Sequence, residues 1–464
     1  MRHRLLAAAV MLALGSSTAL TQTVVTPADR TELGLTVYPG FAQVRDVRRA
    51  NLSEGGGAIV WSGVPSSIDP GTIVLTADGR PVTVRLQTFA PAAYAEGAVL
   101  ARHVGGAVTL VSPSGERIDA TLVSLDGPVF RVGDHLIVGW KGHVEVPLGP
   151  GFPEGAAGGP AIRFAVDGVN GETTLAASYL AGGLSWAADY VAVMEADASS
   201  MRLDGRITVD NGTDSAFPDA TLQVVAGEVR RDGGGPIPLP SARMAEMAVA
   251  SAPDVGRAPL GDYHIYTLDT PVSVAAYETV QVPLFGSRDI DVDREYVLNG
   301  QQFWFQGRYP EPQPLEHPEI RLTFENAGLA GDDEPLPAGT LHTYVRDDAN
   351  RLQFTGDAPI PNTPAGEQII AVIGSAFDLV AERTQTDYRQ LDERTHESAW
   401  RIEIRNRGRE DRTVTVIEPL AGDWTILEES HTHERVDAQT VQWEIPVPAR
   451  GEAILTYRVR ATTS

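Results

Sequence analysis

The sequence predicts an all-β protein: several β-sandwich and small-barrel domains in tandem, closing on an immunoglobulin- or fibronectin-like sandwich. Three observations predict it. Apolar and polar residues alternate with a period of two along most of the chain, as half-buried strands require, and few stretches show a helical period. The alternating runs are short and are cut by glycine, proline and aspartate, with 46 Gly and 32 Pro in all, which is the punctuation of turns between strands. The composition, 42% hydrophobic and 21% charged over 464 residues, is globular and long enough for about three or four domains of ordinary size.

The elements follow in order. Residues 1–4 are basic, residues 5–14 apolar and residues 15–19 small, the three parts of a secretory signal peptide. Ser17 and Ala19 place cleavage after Ala19, with Thr21 as second choice. Ten apolar residues are too few for the ~20 that span a bilayer, so the expectation is a signal (residues 1–19) and an exported, periplasmic or extracellular protein with no membrane span after cleavage. Residues 30–90 read as a first β domain, with strands at 35–38, 44–47, 58–61, 73–75 and 82–86. Residues 95–148 have a tighter rhythm, five short strands with brief turns, and predict a small SH3- or Sm-like barrel. A Gly/Pro linker at 149–160 precedes a central sandwich region (160–375), which contains an irregular loop at 230–259. Residues 376–464 form the clearest unit: Trp400, Ile402 and Ile404 alternate with charged residues, as do the runs 413–417 and 453–459, at the spacing of a sandwich.

Charge and cysteine content exclude several classes. The net charge is −24, from 37 Lys+Arg against 61 Asp+Glu, and loss of Arg2 and Arg4 with the signal takes it near −26. Nucleic-acid binding needs clustered cations that release counterions from phosphate, and no such cluster is present. The barrel at 95–148 is therefore expected to be structural or protein-binding. The absence of cysteine removes disulfides, thiolate metal sites, cysteine nucleophiles and N-terminal lipidation on cysteine.

Three stretches carry a family resemblance. They are Ser178-Tyr179-Leu180-Ala181-Gly182-Gly183-Leu184-Ser185-Trp186-Ala187-Ala188-Asp189-Tyr190, the run 356–387 with Asn362-Thr363-Pro364-Ala365-Gly366-Glu367, and Gly422-Asp423-Trp424-Thr425-Ile426-Leu427 continuing to His431. Together, in order across roughly residues 30–460, they resemble domain of unknown function family 4139, which is related to the C-terminal domain of mucoidy-inhibitor-type proteins. The resemblance implies a β-rich exported bacterial envelope protein and carries no catalytic residues.

No catalytic residues and no cofactor are expected. Gly183-Leu184-Ser185-Trp186-Ala187 approaches the nucleophile elbow, but that elbow needs a strand-to-helix turn, and the residues after Ser185 read as a strand. His431 and His433 stand two apart, so on a strand both imidazoles point one way toward a single divalent ion; a solvated strand end explains them as well. Asp289, Asp291 and Asp293 place three carboxylates on one strand face, without the glycine and glutamate of a calcium loop. Asp332-Asp333-Glu334 reads as a charged surface turn. The tryptophans read as core. The function expected is a non-enzymatic structural or interaction module of the cell envelope whose partner is an envelope protein or polysaccharide. Its rivals are an envelope hydrolase using a metal at His431 and His433, and a carbohydrate-binding protein with exposed tryptophans.

Overall fold

A computed structural model describes residues 22–53, 57–92, 96–125, 127–148, 159–195, 199–227, 263–331 and 334–462. The expected signal (residues 1–19), most of the expected linker at 149–160 and the expected loop at 230–259 lie outside them. The described chain is nearly all β, in several sheets packed as sandwiches, with one six-residue α-helix, Glu96–Ala101, and short 3-10 turns. No helix among the described residues is long and apolar enough to cross a membrane.

The period-two pattern becomes sheet faces directly. In Ser200–Asn211 the odd positions Met201, Leu203, Ile207 and Val209 are buried while Arg202, Arg206 and Asp210 face water, because successive side chains leave a strand on opposite sides.

Three large apolar cores result among the described residues. The first lies between a four-stranded sheet (Gln22–Val25, Gly57–Ser62, Ala161–Asp167, Thr83–Ala90) and a larger one centred on Arg30–Tyr38, Phe41–Leu52 and Gly171–Gly182. Trp61, Ile59, Ile162 and Phe164 meet Leu35, Val44 and Leu175 there. The second lies under a five-stranded sheet, ordered Glu278–Asp291, Ser200–Asn211, Leu184–Met194, Gly339–Arg346, Leu352–Ile360, which packs Tyr190 and Leu203 against Leu322, Phe324 and Ile369. The third lies between a six-stranded sheet containing Asp293–Asn299, Arg412–Pro419 and Thr440–Val447, and a four-stranded sheet of Leu379–Gln390, Thr395–Asn406, Glu452–Thr462 and Asp423–Glu429.

Two expected boundaries are crossed by these sheets. Residues 30–90 do not close on themselves: Phe41–Leu52 pairs along its whole length with Gly171–Gly182, and Gly57–Ser62 with Ala161–Asp167. Nor does residue 376 begin a separate unit, since Asp293–Asn299 runs parallel to Arg412–Pro419 inside the third core's sheet. Periodicity reports which face of a strand is buried and says nothing of which distant strand lies beside it.

The helix Glu96–Ala101 and five strands between Ala107 and Glu145 make a separate antiparallel sheet, ordered His135–Val138, Val129–Val132, Arg117–Ser124, Ala107–Val111, His143–Glu145. These strands pair only with one another, over a small core of Leu100, Val108, Leu110, Leu122 and Phe130. Ala90 is paired directly with Ala161, so the unit is an insertion in a single hairpin connection of the first sandwich.

Candidate functional site

The paired imidazoles are not on a strand. His431 and His433 fall in the connection between Asp423–Glu429 and Glu434–Arg435, strands of two different sheets; the chain turns there to cross the sandwich, which undoes the two-residue register expected for a shared ion. His433 Nδ1 meets Glu429 Oε2 at 2.9 Å, with its ring 6.2 Å from Trp424 and 6.3 Å from Trp443. The same Glu429 oxygen accepts a hydrogen bond from Trp443 Nε1 at 3.0 Å. His431 Nδ1 instead meets Ser430 Oγ at 2.9 Å. His433 therefore plugs the rim of the sandwich between two tryptophans.

The three aspartates are divided as well. Asp289 and Asp291 end the strand Glu278–Asp291, Val292 is buried, and Asp293 opens a strand of the next sheet. Asp289 Oδ1 accepts from Arg202 Nε at 3.0 Å. Among the described residues no group of three or more His, Asp or Glu side chains is placed to hold a metal ion.

Ser185 sits in the continuous strand Leu184–Met194, opposite Asp210. Gly183, at φ +78°, makes the turn before it, and no helix follows. Asp332 and Asp333 lie outside the described residues. None of the seven tryptophans is exposed: Trp61, Trp304, Trp400, Trp424 and Trp443 are buried and Trp140 and Trp186 are half-buried. A cavity of about 360 Å³ lies at the ends of Arg412–Pro419 and Thr440–Val447. Its charges are matched locally, Arg412 by Glu410 and Asp411 by the Ala449 N–H at 2.8 Å.

Two buried charge clusters escape any reading of periodicity. In the first sandwich Asp46 and Arg48, both with fully buried side chains, pair with each other, and Asp46 pairs with Arg30 as well. Arg48 Nη1 donates to the carbonyls of Val25 (3.1 Å) and Ser62 (2.7 Å), and its guanidinium lies 4.4 Å from the Trp61 ring centre. Burial alone would push the Asp46 carboxyl up; hydrogen bonds from Arg30 and Arg48 outweigh it and hold the group below the ordinary carboxylate range. In the third core Arg383 pairs with Glu418, which also accepts from Tyr457 Oη at 2.9 Å, and the guanidinium stands 4.5 Å from the Trp304 ring centre. Here burial dominates and pushes the Glu418 carboxyl up, against the opposing pull of Arg383 and Tyr457. Glu418 Oε2 has no hydrogen-bond partner and rests on Gly300, where a Cβ would sit 1.7 Å from it. Both clusters place an arginine between a carboxylate and a tryptophan face, and both are sealed from substrate. Their chemistry is that of a desolvated ion pair, fully hydrogen-bonded at Arg48 and only partly at Arg383, whose Nε and Nη2 have no partner.

The inserted sheet brings apolar residues to the surface, as the edge strands Leu352–Ile360 and Gln368–Ser375 also do. Leu136 and Val138, in its edge strand, are 62% and 70% exposed, and Val123 two strands away is 45% exposed. The alternate positions Phe130 and Leu122 fill the small core, so one face is packed and the other presents Val123, Arg131, Leu136 and Val138 to solvent. No strand among the described residues pairs the outer edge of His135–Val138.

No protein-family model matches the chain, and no curated protein matches it.

Proposed function

We propose that the chain is an exported, non-enzymatic interaction module of the bacterial cell envelope, in which a scaffold of packed sandwiches presents the inserted sheet to a partner, and that its resemblance to domain of unknown function family 4139 reflects membership of that family. The N-terminal basic, apolar and small-residue succession supports export. The single observation that carries the recognition role is the outward face of the inserted sheet. Leu136 and Val138 are solvated side by side on an unpaired edge, where soluble proteins ordinarily place charges or cover the strand. The partner is an envelope protein or polysaccharide, and the immunoglobulin-like character of the last sandwich belongs to the same reading.

Affinity capture from envelope extracts tests it. The processed chain is expected to recover a specific component that Leu136→Asp/Val138→Asp does not. Recovery by both proteins alike, or no specific recovery, overturns the reading. Edman sequencing of the secreted chain is expected to begin at residue 20, or at 22 for the second cleavage choice; a chain still starting at Met1 removes export by signal cleavage.

A further inference from the structure

Three connections meet at one end of the sandwich that holds the third core: residues 376–378, 407–411 and 448–451. Backbone hydrogen bonds join them, from Arg407 N to the Asp378 carbonyl (2.8 Å) and from Arg450 N to the Gly408 carbonyl (3.1 Å). Buried Asn406 fixes the middle connection. Its Nδ2 donates to the Glu410 (2.8 Å) and Val447 (3.2 Å) carbonyls, and its Oδ1 accepts from Gly408 N (2.9 Å). On this surface Phe377 is 88% exposed, the most exposed large apolar side chain among the described residues. Arg407, Arg409 and Arg450 are exposed too, and none has an ion pair or a side-chain hydrogen bond among the described residues. Arg450 is held at φ +55°, where glycine or asparagine would stand at less cost. Of the carboxylates at this end, Glu410 pairs with Arg412 and Asp411 accepts the Ala449 N–H. That leaves Asp378; the next acidic residue, Glu452, lies within its strand opposite Arg405. In a chain of net charge −24, the end is a local reversal of sign with an apolar ring in its midst.

A phenyl ring set among guanidinium groups matches the headgroup layer of an anionic bilayer. The ring gains by leaving water for the acyl boundary, where aromatic side chains collect, and the guanidinium forks match phosphate oxygens. An acidic polysaccharide answers the arginines and offers no apolar layer for the ring to enter. The acidic remainder of the chain does not cancel the attraction, since charges more than about 8–10 Å from the membrane are screened at physiological salt. We propose that this end of the molecule docks on an anionic phospholipid surface, with Phe377 entering the interface and Arg407, Arg409 and Arg450 meeting lipid phosphates. Docking is peripheral and reversible, because one ring and three cations fall short of a stable anchor. It uses a different part of the molecule from the inserted sheet and does not depend on that sheet's partner.

Co-sedimentation of the full processed chain with vesicles tests it. Vesicles of phosphatidylcholine with about 30% phosphatidylglycerol are expected to take up at least tenfold more protein than phosphatidylcholine alone, and less as salt rises. Phe377→Asp and Arg407→Glu/Arg409→Glu are each expected to lower that uptake at least tenfold with unchanged thermal melting, and Arg407→Lys/Arg409→Lys to retain most of it. Leu136→Asp/Val138→Asp is expected to bind vesicles as the parent does. Equal uptake by the two kinds of vesicle, or uptake that survives both charge-bearing variants at this end, overturns the proposal. Saturable binding of polygalacturonate that is lost in Arg407→Glu/Arg409→Glu, without vesicle uptake by the parent, assigns the arginines to a polysaccharide and overturns it as well. Where a variant melts lower, Phe377→Trp carries the test: its emission is expected to shift to the blue on the anionic vesicles alone, and an unshifted spectrum overturns the proposal.

Discussion

Glu418 and Arg383 set the chemistry of the third core at the level of single atoms. Each is nearly sealed from water, and removal of one leaves a buried charge without its counterpart, which costs about 3–5 kcal/mol, whereas replacing both by apolar groups is often neutral. Arg383→Met is therefore expected to destabilise the protein by about that amount in urea unfolding, and Arg383→Met/Glu418→Leu to recover most of the loss. Because burial raises the Glu418 pKa, its folded value lies above its unfolded one. Its favourable contribution is complete below the unfolded value, about 4.3, and is lost as pH rises through the folded one. Asp46 has the opposite sign: its folded pKa is depressed, so its contribution is present above about 3.9 and is lost as pH falls through the folded value. Thermal melts across pH 3–8 are expected to flatten on the alkaline side in Glu418→Gln and on the acid side in Asp46→Asn. Unchanged pH profiles would show that neither carboxylate is coupled to folding. Gly300→Ala belongs to the same site: a methyl group 1.7 Å from Glu418 Oε2 forces the carboxylate off its partners, and overpacking of this kind costs about 1–3 kcal/mol.

At the scale of elements, Arg48 holds a strand that has little else. Gln22–Val25 is four residues long, runs parallel to Gly57–Ser62 at the edge of its sheet, and pairs with no other strand among the described residues. The Arg48 guanidinium ties its last carbonyl to that of Ser62. Arg48→Met is expected to raise amide exchange across residues 22–25 at least tenfold more than across Ala161–Asp167; equal acceleration of both strands would assign Arg48 to the core as a whole. Elements of this sort also show what the sequence discloses. Trp400, Ile402 and Ile404 alternate with charges, and all three are buried, so the face of Thr395–Asn406 is legible from pattern alone. The parallel partnership of Leu184–Met194 with Gly339–Arg346 is not, since pairing across such separation leaves no local mark. The histidines fail for a related reason. A two-residue spacing has meaning only within one strand, and the chain changes sheets between Glu429 and Glu434. Of the surface proposed for recognition, the five-strand rhythm and its turns are legible. That Leu136 and Val138 face water is not, because an alternating strand reads identically whether its apolar side meets a core or solvent.

Over the whole molecule, shared sheets decide what unfolds together. The five-stranded sheet gives Leu184, Ile207 and Val209 to the first core and Tyr190, Leu203 and Phe285 to the second, and Trp186 packs against both. The six-stranded sheet likewise gives Leu322 and Phe324 to the second core and Leu298, Val414 and Val416 to the third. With no sulfur crosslink to join them, the three cores are coupled by strands that cannot leave one without exposing another. The inserted sheet lacks such a strand, and both its ends enter through the paired residues Ala90 and Ala161. Its loss leaves that hairpin closed by a longer loop, a cost that grows by only about 0.6 kcal/mol per doubling of loop length. Leu122→Ala, at a fully buried site of the insertion, is expected to lower the stability of residues 96–148 by about 2–5 kcal/mol and leave protection of the three cores unchanged. Leu203→Ala, equally buried in the shared sheet, is expected to lower protection in the first, second and third cores together. Hydrogen exchange under mild denaturant separates these outcomes. Collective loss in Leu122→Ala would show that the insertion is part of the scaffold, and confinement of the Leu203→Ala effect to one core would show that a continuous sheet does not transmit stability between the sandwiches it joins.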